Sequence, residues 1–389
     1  MNESLYSPIE MIKALVAFDT TSRDSNLHMI RFVEEYLINH GVEPSLIFND
    51  DKSKANLVAS IGPDTSRGGV VLSGHSDVVP VDGQAWSSDP FQVVERDGRL
   101  YGRGTCDMKG FLAIALALVP EFQKCNLQSP VHIVLTYDEE TDCSGAVRLM
   151  QALPETGLAP HAVIIGEPTQ MQIVNAHKGQ STLETTIVGR EAHSSAPHLG
   201  VNAIDIAAQL IAYLAALSVE LESRPYSMAG ATPPFSTINV GTITGGQQVN
   251  IVPAQCRFLW EIRAVPGHDS NEIVERFNDY ADNLEAEMRG KFPQATITTT
   301  LINATAAFVP EDDSPAETLV KSLAGTNEAG TVAFGTEAPC YQQAGMSVVV
   351  FGPGSIAQAH KPDEYIALDQ IDACVAFMRR LMKHLETRA

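Results

Sequence analysis

Two histidines and several acidic residues follow short apolar runs in this chain, and their side chains could together bind a metal ion. The apolar runs cover residues 70–72, 131–136, 162–165 and 348–351. Imidazole nitrogens and carboxylate oxygens are the donors that a zinc-class divalent cation binds in proteins. The residues concerned are His75, Asp77, Asp138, Glu139, Glu140, Glu167 and His360.

The apolar runs have the composition of buried strands in a parallel sheet. They are rich in valine, isoleucine and leucine, which is typical of strands that are covered on both faces. The carboxyl ends of parallel strands meet at one edge, and open α/β sheets bind ligands just beyond that edge. The sequence therefore predicts that the polar side chains converge there.

The motif His75-Ser76-Asp77 places an imidazole and a carboxylate two residues apart. In an extended chain both side chains point the same way, so Asp77 can orient the ring of a metal-bound His75. Taken alone, such a pair is more often an ordinary polar contact.

A glycine-rich turn at residues 102–110 leads into a helix and carries Asp107. Its glycine spacing fits neither the dinucleotide nor the phosphate-loop fingerprint, so a phosphate site is not indicated. A simple helix-entry turn is the alternative. The expected proximity of Asp107 to the other acids favours a ligand role.

The acidic run Asp138-Glu139-Glu140 comes directly after a predicted strand. Burying three like charges is costly without cations, whereas a solvated acidic loop would carry them harmlessly. In a metal site one acid can ligate while an unligated neighbour takes a proton from water, whose pKa a metal lowers from about 15.7 to about 7. Two metals need about six protein donors, and five are available with Asp107 able to bridge. These five are His75, Asp107, Glu140, Glu167 and His360.

Composition limits the classes of partner. The chain has 389 residues, 44% of them hydrophobic, and a formal net charge of −21. Nucleic acids and anionic membranes attract basic surfaces, so we expect neither as a partner, whereas a small anionic substrate remains compatible with a local cationic pocket. No signal sequence and no run long enough to cross a bilayer is found, which predicts a cytoplasmic protein. The six scattered cysteines indicate reduced thiols.

The order of predicted elements indicates two domains. Strands and helices alternate to about residue 179 and again after residue 302, which is typical of a wound α/β domain. The pattern between them is strand, helix, strand, strand, helix, strand, the ferredoxin-like plan. We predict a catalytic domain at 1–179 and 303–389 and an inserted domain at 180–302. The predicted helices are 7–18, 26–40, 110–123, 201–217, 270–289, 314–323 and 370–386.

Taken together, the motifs resemble those of the dinuclear-zinc amidohydrolases, a family of deacetylases, desuccinylases, aminoacylases and glutamate-releasing carboxypeptidases. The resemblance covers essentially the whole chain and rests on segments 74–80, 102–110, 138–140, 166–169 and 354–365. It implies an α/β catalytic domain with a mixed sheet, an inserted lid and dimerisation domain, and two Zn²⁺ ions that Co²⁺ can replace. It further implies one zinc on His75 and Glu167, the other on Glu140 and His360, Asp107 bridging both, Asp77 orienting His75, and Glu139 as the general base.

The inserted domain carries further features of that family. The segment around His193 resembles the stretch whose histidine reaches a neighbouring subunit's active site and stabilises the oxyanion, which implies a homodimer. Asn250 and Arg263 resemble residues that hold the substrate's carboxylate, and the fork of an arginine matches a carboxylate. An ion pair at the strand end is the alternative for Arg263. His177 stays open as a pocket residue.

The resemblance implies hydrolysis of the amide of an N-acyl amino acid, with N-acetylornithine as the first substrate predicted and N-succinyl-diaminopimelate as the alternative. Glu337 is then a candidate partner for the cationic tail of the substrate, and a Gly335-Thr336 turn that holds the substrate's carboxylate is the competing interpretation. A metal-dependent small-molecule binding protein is the non-enzymatic alternative. Metal-dependent release of acetate separates the two.

Overall fold

The computed structural model describes residues 6–63, 68–153, 157–224 and 226–387. The chain divides into two compact units, which we call the larger and the smaller unit. The larger unit comprises Met1–Asn175, Pro310–Gly330 and Thr336–Ala389, and the smaller unit comprises Ala176–Val309 and Thr331–Gly335.

A mixed sheet forms the centre of the larger unit. Its strand order is β1-β2-β6-β3-β7-β14, continued by the short strands β8 and β13, which each end in residues assigned to the smaller unit. β3 is parallel to β6 and β7, and β14 is parallel to β7, whereas β2 runs antiparallel to β6. The strands are β1 (Ser45–Phe48), β2 (Ala55–Ile61), β3 (Val70–His75), β6 (Val131–Thr136), β7 (Ala162–Ile165), β8 (Val174–His177), β13 (Gly330–Val332) and β14 (Val348–Val350); a separate small sheet contains β4 (Val94–Arg96), β5 (Arg99–Tyr101) and β15 (Tyr365–Ala367).

The four central strands are buried along their whole length, as their apolar composition predicts. Burial on both faces follows because helices cover the sheet and share one apolar core with it. The strands β6, β3, β7 and β14 are adjacent in this order and all run parallel, so their carboxyl ends lie at one edge of the sheet. The helices of this unit are α1 (Pro8–Val16), α2 (Leu27–Asn39), α3 (Lys109–Ala117), α4 (Val119–Lys124), α5 (Ser144–Gln151), α8 (Pro315–Ala324), α9 (Ala338–Gln343) and α10 (Leu368–Thr387).

Local sequence signals account for the helix ends. Ser7 caps α1, and the side chain of Glu10 accepts a hydrogen bond from the main chain of Ser7 in return, which forms a capping box. The prediction of a single helix at residues 110–123 is wrong, because the structure has two helices there, α3 and α4, which meet at Leu118. Pro120 explains the break, because proline has no main-chain N–H to donate to the preceding turn and its ring clashes with the carbonyl group there.

The smaller unit has the predicted strand, helix, strand, strand, helix, strand order. Its antiparallel sheet has the strand order β10-β11-β9-β12. Both helices contribute apolar side chains to the core that covers one face of this sheet, around the buried Trp260 and Phe277. The elements are β9 (Gly179–Val188), α6 (Ala203–Leu221), β10 (Thr237–Gly245), β11 (Gln255–Ala264), α7 (Ser270–Lys291) and β12 (Thr296–Thr305).

Among the described residues, α6 is the one helix whose length and composition would allow it to cross a membrane. Its buried side chains, however, recur every three or four residues and pack into the core of the smaller unit. Such periodicity is that of an amphipathic helix with one face packed against a protein core. The residues are Ala203, Ala207, Leu210, Leu214, Leu217 and Leu221.

Gly166 allows close packing at the end of β7, and the change Gly166→Ala should destabilise the larger unit. A Cβ at this position would lie 2.1 Å from the ring of Phe111, which is buried and cannot move aside. Overpacking of this kind costs about 1–3 kcal/mol of unfolding free energy, which urea denaturation would measure. Gly290→Ala is the control, since a Cβ there meets no atom within 4 Å and alanine favours the helix by about 0.5–1 kcal/mol. Equal stability of the Gly166 variant and the unchanged protein would contradict the packing argument.

Candidate metal centre

The carboxyl edge of the large sheet brings together all the ligands predicted in the larger unit. His75 is the last residue of β3, Glu139 and Glu140 follow β6, and Glu167 follows β7. Asp107 lies in the glycine-rich turn before α3, and His360 lies in the loop after a short 3-10 helix, Ile356–Gln358.

Asp107 lies between the two histidines. Its Oδ1 atom is 3.1 Å from His75 Nε2, and its Oδ2 atom is 3.2 Å from His360 Nε2. Each carboxylate oxygen therefore faces a different imidazole. An aspartate with this geometry can contribute one oxygen to each of two neighbouring cations.

The remaining acids divide between the two histidines. His360 Nε2 is 3.0 Å from Glu140 Oε2, and His75 Nε2 is 4.0 Å from Glu167 Oε1 and 3.9 Å from Glu139 Oε2. Donors that each lie about 2 Å from one zinc ion are roughly 3–4 Å apart, so these spacings suit shared coordination. In two groups of three residues, one ligand atom from each residue lies within 4.8 Å of the other two: His75 with Glu139 and Glu167, and His75 with Asp107 and Glu140.

The hydrogen bonding of Glu167 supports a cation at this position. Its carboxylate is almost fully buried, and its Oε1 atom has no hydrogen-bond partner among the described residues. An unpaired buried carboxylate oxygen is costly, and a metal ion would satisfy it. The donor set of imidazoles and carboxylates thus fits zinc-class ions.

The electrostatics of the site point the same way. Burial raises the pKa of Glu167 well above its ordinary range, and the nearby carboxylates of Glu139 and Asp107 raise it further. Burial likewise raises the pKa of Glu140 to about 6, with Asp107 adding to the effect. Like charges crowded in a site of low polarity disfavour ionisation, and cations would remove this repulsion.

Asp77 organises the site in two ways. Its main-chain oxygen accepts a hydrogen bond from His75 Nδ1 at 2.9 Å, while its Oδ1 atom lies 3.6 Å from the same nitrogen. A proton on Nδ1 leaves Nε2 free to ligate, and the main-chain oxygen of Asp77 lies closer to it than the carboxylate for which the orienting role is predicted. The carboxylate of Asp77 also accepts hydrogen bonds from the main-chain N–H groups of Glu139 and Glu140, at 3.2 and 3.3 Å, and from Ser22 Oγ at 2.7 Å.

The predicted site residues of the inserted domain lie in the smaller unit. His193 is exposed, and its Nδ1 atom accepts hydrogen bonds from the main chain and the hydroxyl of Ser195. Asn250 lies beside it, because the main-chain oxygen of Asn250 accepts a hydrogen bond from Ser194 N at 3.0 Å. Arg263 lies 3.2 Å from Glu261, which is the ion pair considered as the alternative.

Glu337 makes hydrogen bonds within the protein. It is buried in the larger unit, where Oε1 accepts a hydrogen bond from Ser73 at 2.6 Å and Oε2 accepts one from Thr136 at 2.7 Å. Both oxygens are thus already engaged inside the protein. A direct contact between Glu337 and a substrate's cationic tail stays a prediction, and such a contact would compete with these two hydrogen bonds. His177, which sequence left open, is fully buried beside Phe308, and burial lowers its pKa to about 4.

Sequence reasoning missed buried charged residues in the two segments that carry Asp107 and His360. Arg103 and Glu364 form a buried ion pair of 2.7 Å behind Asp107. Lys109, also buried, donates hydrogen bonds to the main-chain oxygens of Leu15 and Phe18. All three lie inside the recognised motifs, at 102–110 and 354–365, so their position in the motifs was the available signal.

The change Asp77→Asn should weaken metal binding. An amide cannot accept from both the Glu139 and Glu140 N–H groups and the Ser22 hydroxyl without presenting its own NH₂ to one of them. Loss of such a supporting contact lowers metal affinity about 10- to 100-fold. Zinc titration of the metal-free protein would measure it. Asp82→Asn is the matched control, because Asp82 is exposed and contacts only Arg23 among the described residues. Unchanged affinity in the Asp77 variant would contradict the organising role.

Comparison with known proteins gives consistent results. The model of peptidase family M20/M25/M40 matches residues 71–384. The acetylornithine deacetylase of Myxococcus xanthus is 36% identical over 388 residues, which cover 99% of this chain and 99% of that protein. A family M20 metallo-carboxypeptidase from Sulfolobus solfataricus has a TM-score of 0.76 at 18% identity, covering 98% of this chain and 100% of that one. A dinuclear metal binding peptidase from Bacillus subtilis has a TM-score of 0.67 at 16% identity, covering 98% of both chains. These likenesses confirm the predicted fold class.

Proposed function

This chain belongs to peptidase family M20/M25/M40, a family of metal-dependent hydrolases, and we propose that it hydrolyses N-acetylornithine to ornithine and acetate. The observation that carries the chemistry is the position of Asp107 between two histidines, with carboxylates on either side. The substrate rests on the deacetylase named above, at 36% identity over nearly the whole chain. Such a reaction would serve arginine biosynthesis in the cytoplasm.

The five predicted ligands would hold two zinc ions. His75 and Glu167 would bind one ion, Glu140 and His360 the other, and Asp107 both. Co²⁺ has similar ligand preferences and could replace zinc. Bound zinc supplies Lewis acidity, which polarises a carbonyl group and lowers the pKa of water to about 7.

Glu139 is the proposed general base. It lies beside the ligands, 3.9 Å from His75 Nε2, but is not needed to complete either ligand set. Its carboxylate takes a proton from the water that attacks the amide carbon. It then returns a proton to the nitrogen of the leaving amine as the C–N bond breaks, which releases acetate and ornithine.

The smaller unit supplies the proposed contacts to the substrate. His193 donates a hydrogen bond to the oxyanion that forms when water adds to the carbonyl. Asn250 and Arg263 bind the substrate's carboxylate, and Arg263 would exchange its partner Glu261 for the substrate.

The change Glu139→Gln should abolish most turnover while both zinc ions stay bound. Glutamine keeps the shape of the side chain but cannot accept the proton, so kcat for acetate release should fall about 10²- to 10⁴-fold. Zinc content would be measured on the same sample.

N-Acetylornithine should be the best substrate in a panel with N-acetylcitrulline, N-acetylmethionine and N-succinyl-diaminopimelate. Near-normal turnover in the Glu139 variant would refute the assignment of Glu139 as the base. Faster cleavage of the succinyl substrate by the unchanged protein would favour the desuccinylase alternative. No hydrolysis of any substrate would favour a binding protein.

We further propose a homodimer formed through β10 and α6 of the smaller unit. β10 is an edge strand without a charged side chain, and the exposed face of the adjacent α6 is made largely of alanine and other apolar residues. Soluble proteins usually protect a free edge with charges. β12, at the other edge, likewise has no charged side chain, but it lies beside α7, which carries many charged residues.

Ile243→Lys should convert the dimer to a monomer, because it puts a charge on the edge strand β10, where Ile243 is 53% exposed. Ile302→Lys is the matched control on β12, where Ile302 is 58% exposed, and it should leave the dimer intact. Molar mass from light scattering would distinguish the two. A monomeric unchanged protein, or loss of the dimer in the control alone, would contradict this interface.

A further inference from the structure

His360 is the most exposed of the proposed ligands, with 51% of its side chain accessible. Packing therefore holds it less firmly than it holds the buried His75. Its loop is instead tied down through the main chain. Gln84 Nε2 donates a hydrogen bond to the carbonyl oxygen of His360 at 3.0 Å, and Arg103 Nη1 lies 3.4 Å from the carbonyl oxygen of Lys361.

Glu364, four residues after His360, fastens the same loop to the turn of the bridging ligand. Its Oε1 atom accepts hydrogen bonds from the main-chain N–H groups of Cys106 and Asp107, at 2.9 and 3.1 Å. Its Oε2 atom is 2.7 Å from Arg103 Nη1. Both Glu364 and Arg103 are about 1% exposed, so these contacts are shielded from water.

Arg103 closes the connection. Its Nη2 atom donates to Gln84 Oε1 at 2.7 Å, and its guanidinium lies over the ring of Trp86. A continuous chain of hydrogen bonds thus runs from the main chain of His360 through Gln84, Arg103 and Glu364 to the main chain of Asp107. The two ends of this chain are the two residues that flank the second metal position.

We propose that Glu364 is a positioning residue that fixes Asp107 relative to His360 and so determines the affinity of the second metal position, the one formed by Glu140 and His360. The inference rests on the proposed function, because it assumes the two-zinc site. Metal affinity depends on how well the ligands are held in place before binding, and contacts behind a ligand are worth about 10- to 100-fold. Glu364 accepts directly from the main chain of Asp107 and is connected to that of His360 through Arg103 and Gln84, although it touches no metal itself.

The test is zinc titration of the metal-free protein against a competing chelator. The unchanged protein should bind two zinc ions. Glu364→Gln keeps an oxygen for the N–H groups but loses the charge that pairs with Arg103, and it should weaken the second ion about 10- to 100-fold. The first ion should weaken less, because the buried His75 and Glu167 also hold it. Gln84→Leu, at a partly exposed site, should weaken binding of the second ion about two- to tenfold. This variant provides a second test if the Glu364 variant fails to fold.

Asp363→Asn is the matched control from the same loop. Asp363 is half-buried and accepts two hydrogen bonds from Ser87, and among the described residues it makes no hydrogen bond to Arg103 or to the Asp107 turn. It should leave both affinities unchanged. The unfolding midpoint of each metal-free variant separates a positioning role from general destabilisation.

The outcomes distinguish the two proposals. Fewer than two zinc ions on the unchanged protein would overturn the proposed function. Two ions on the unchanged protein, together with unaltered affinities in the Glu364 and Gln84 variants, would overturn the positioning role alone. Equal weakening of both ions, accompanied by a lower unfolding midpoint, would assign Glu364 to general stability and also overturn the inference.

Discussion

The structure depends on holding five acidic side chains close together at the end of one sheet. Asp77, Asp107, Glu139, Glu140 and Glu167 are all mostly buried, and their mutual repulsion opposes folding when no cation is present. Hydrogen bonds from main-chain N–H groups offset part of this cost. Asp77 accepts two such bonds from the Glu139–Glu140 turn, and Glu364 accepts two from the Asp107 turn. The acids outside the ligand set therefore act as acceptors that fix the turns of the ligands.

The parallel sheet makes this concentration of charge possible. β3 and β6 pair in register from Val70 with Val131 to His75 with Thr136, so the residues that follow both strands emerge at the same level. β7 pairs with β3 on the other side and delivers Glu167. Close packing beneath the ligands keeps them there, since glycine is needed at position 166 to admit the ring of Phe111. Ligand geometry is thus inherited from strand register and core packing.

Much of this arrangement could be predicted from the sequence, because its signals are local. Apolar runs followed by acids or histidine gave the strand ends, and the order of elements gave the ferredoxin-like plan of the smaller unit. The break at Pro120 was also local, and the apolar character of the segment concealed it. The hydrogen bonds of Glu337 could not be predicted, because a sequence does not reveal that a carboxylate is buried against Ser73 and Thr136. The Arg103–Glu364 pair joins residues 261 positions apart, and no local pattern indicates such a contact.

The two halves of the metal centre are held by different physical means. His75 and Glu167 are almost fully buried, so tight packing and the main-chain oxygen of Asp77 restrict their movement. His360 is half exposed and lies in a loop with a backbone φ of +61°. Exposure suits a position that a substrate must reach, but it removes the packing that would otherwise order the ligand. Hydrogen bonds to the loop's main chain are then the remaining way to hold the ligand in place. The buried Arg103 and Glu364 would therefore affect metal binding without touching the metal.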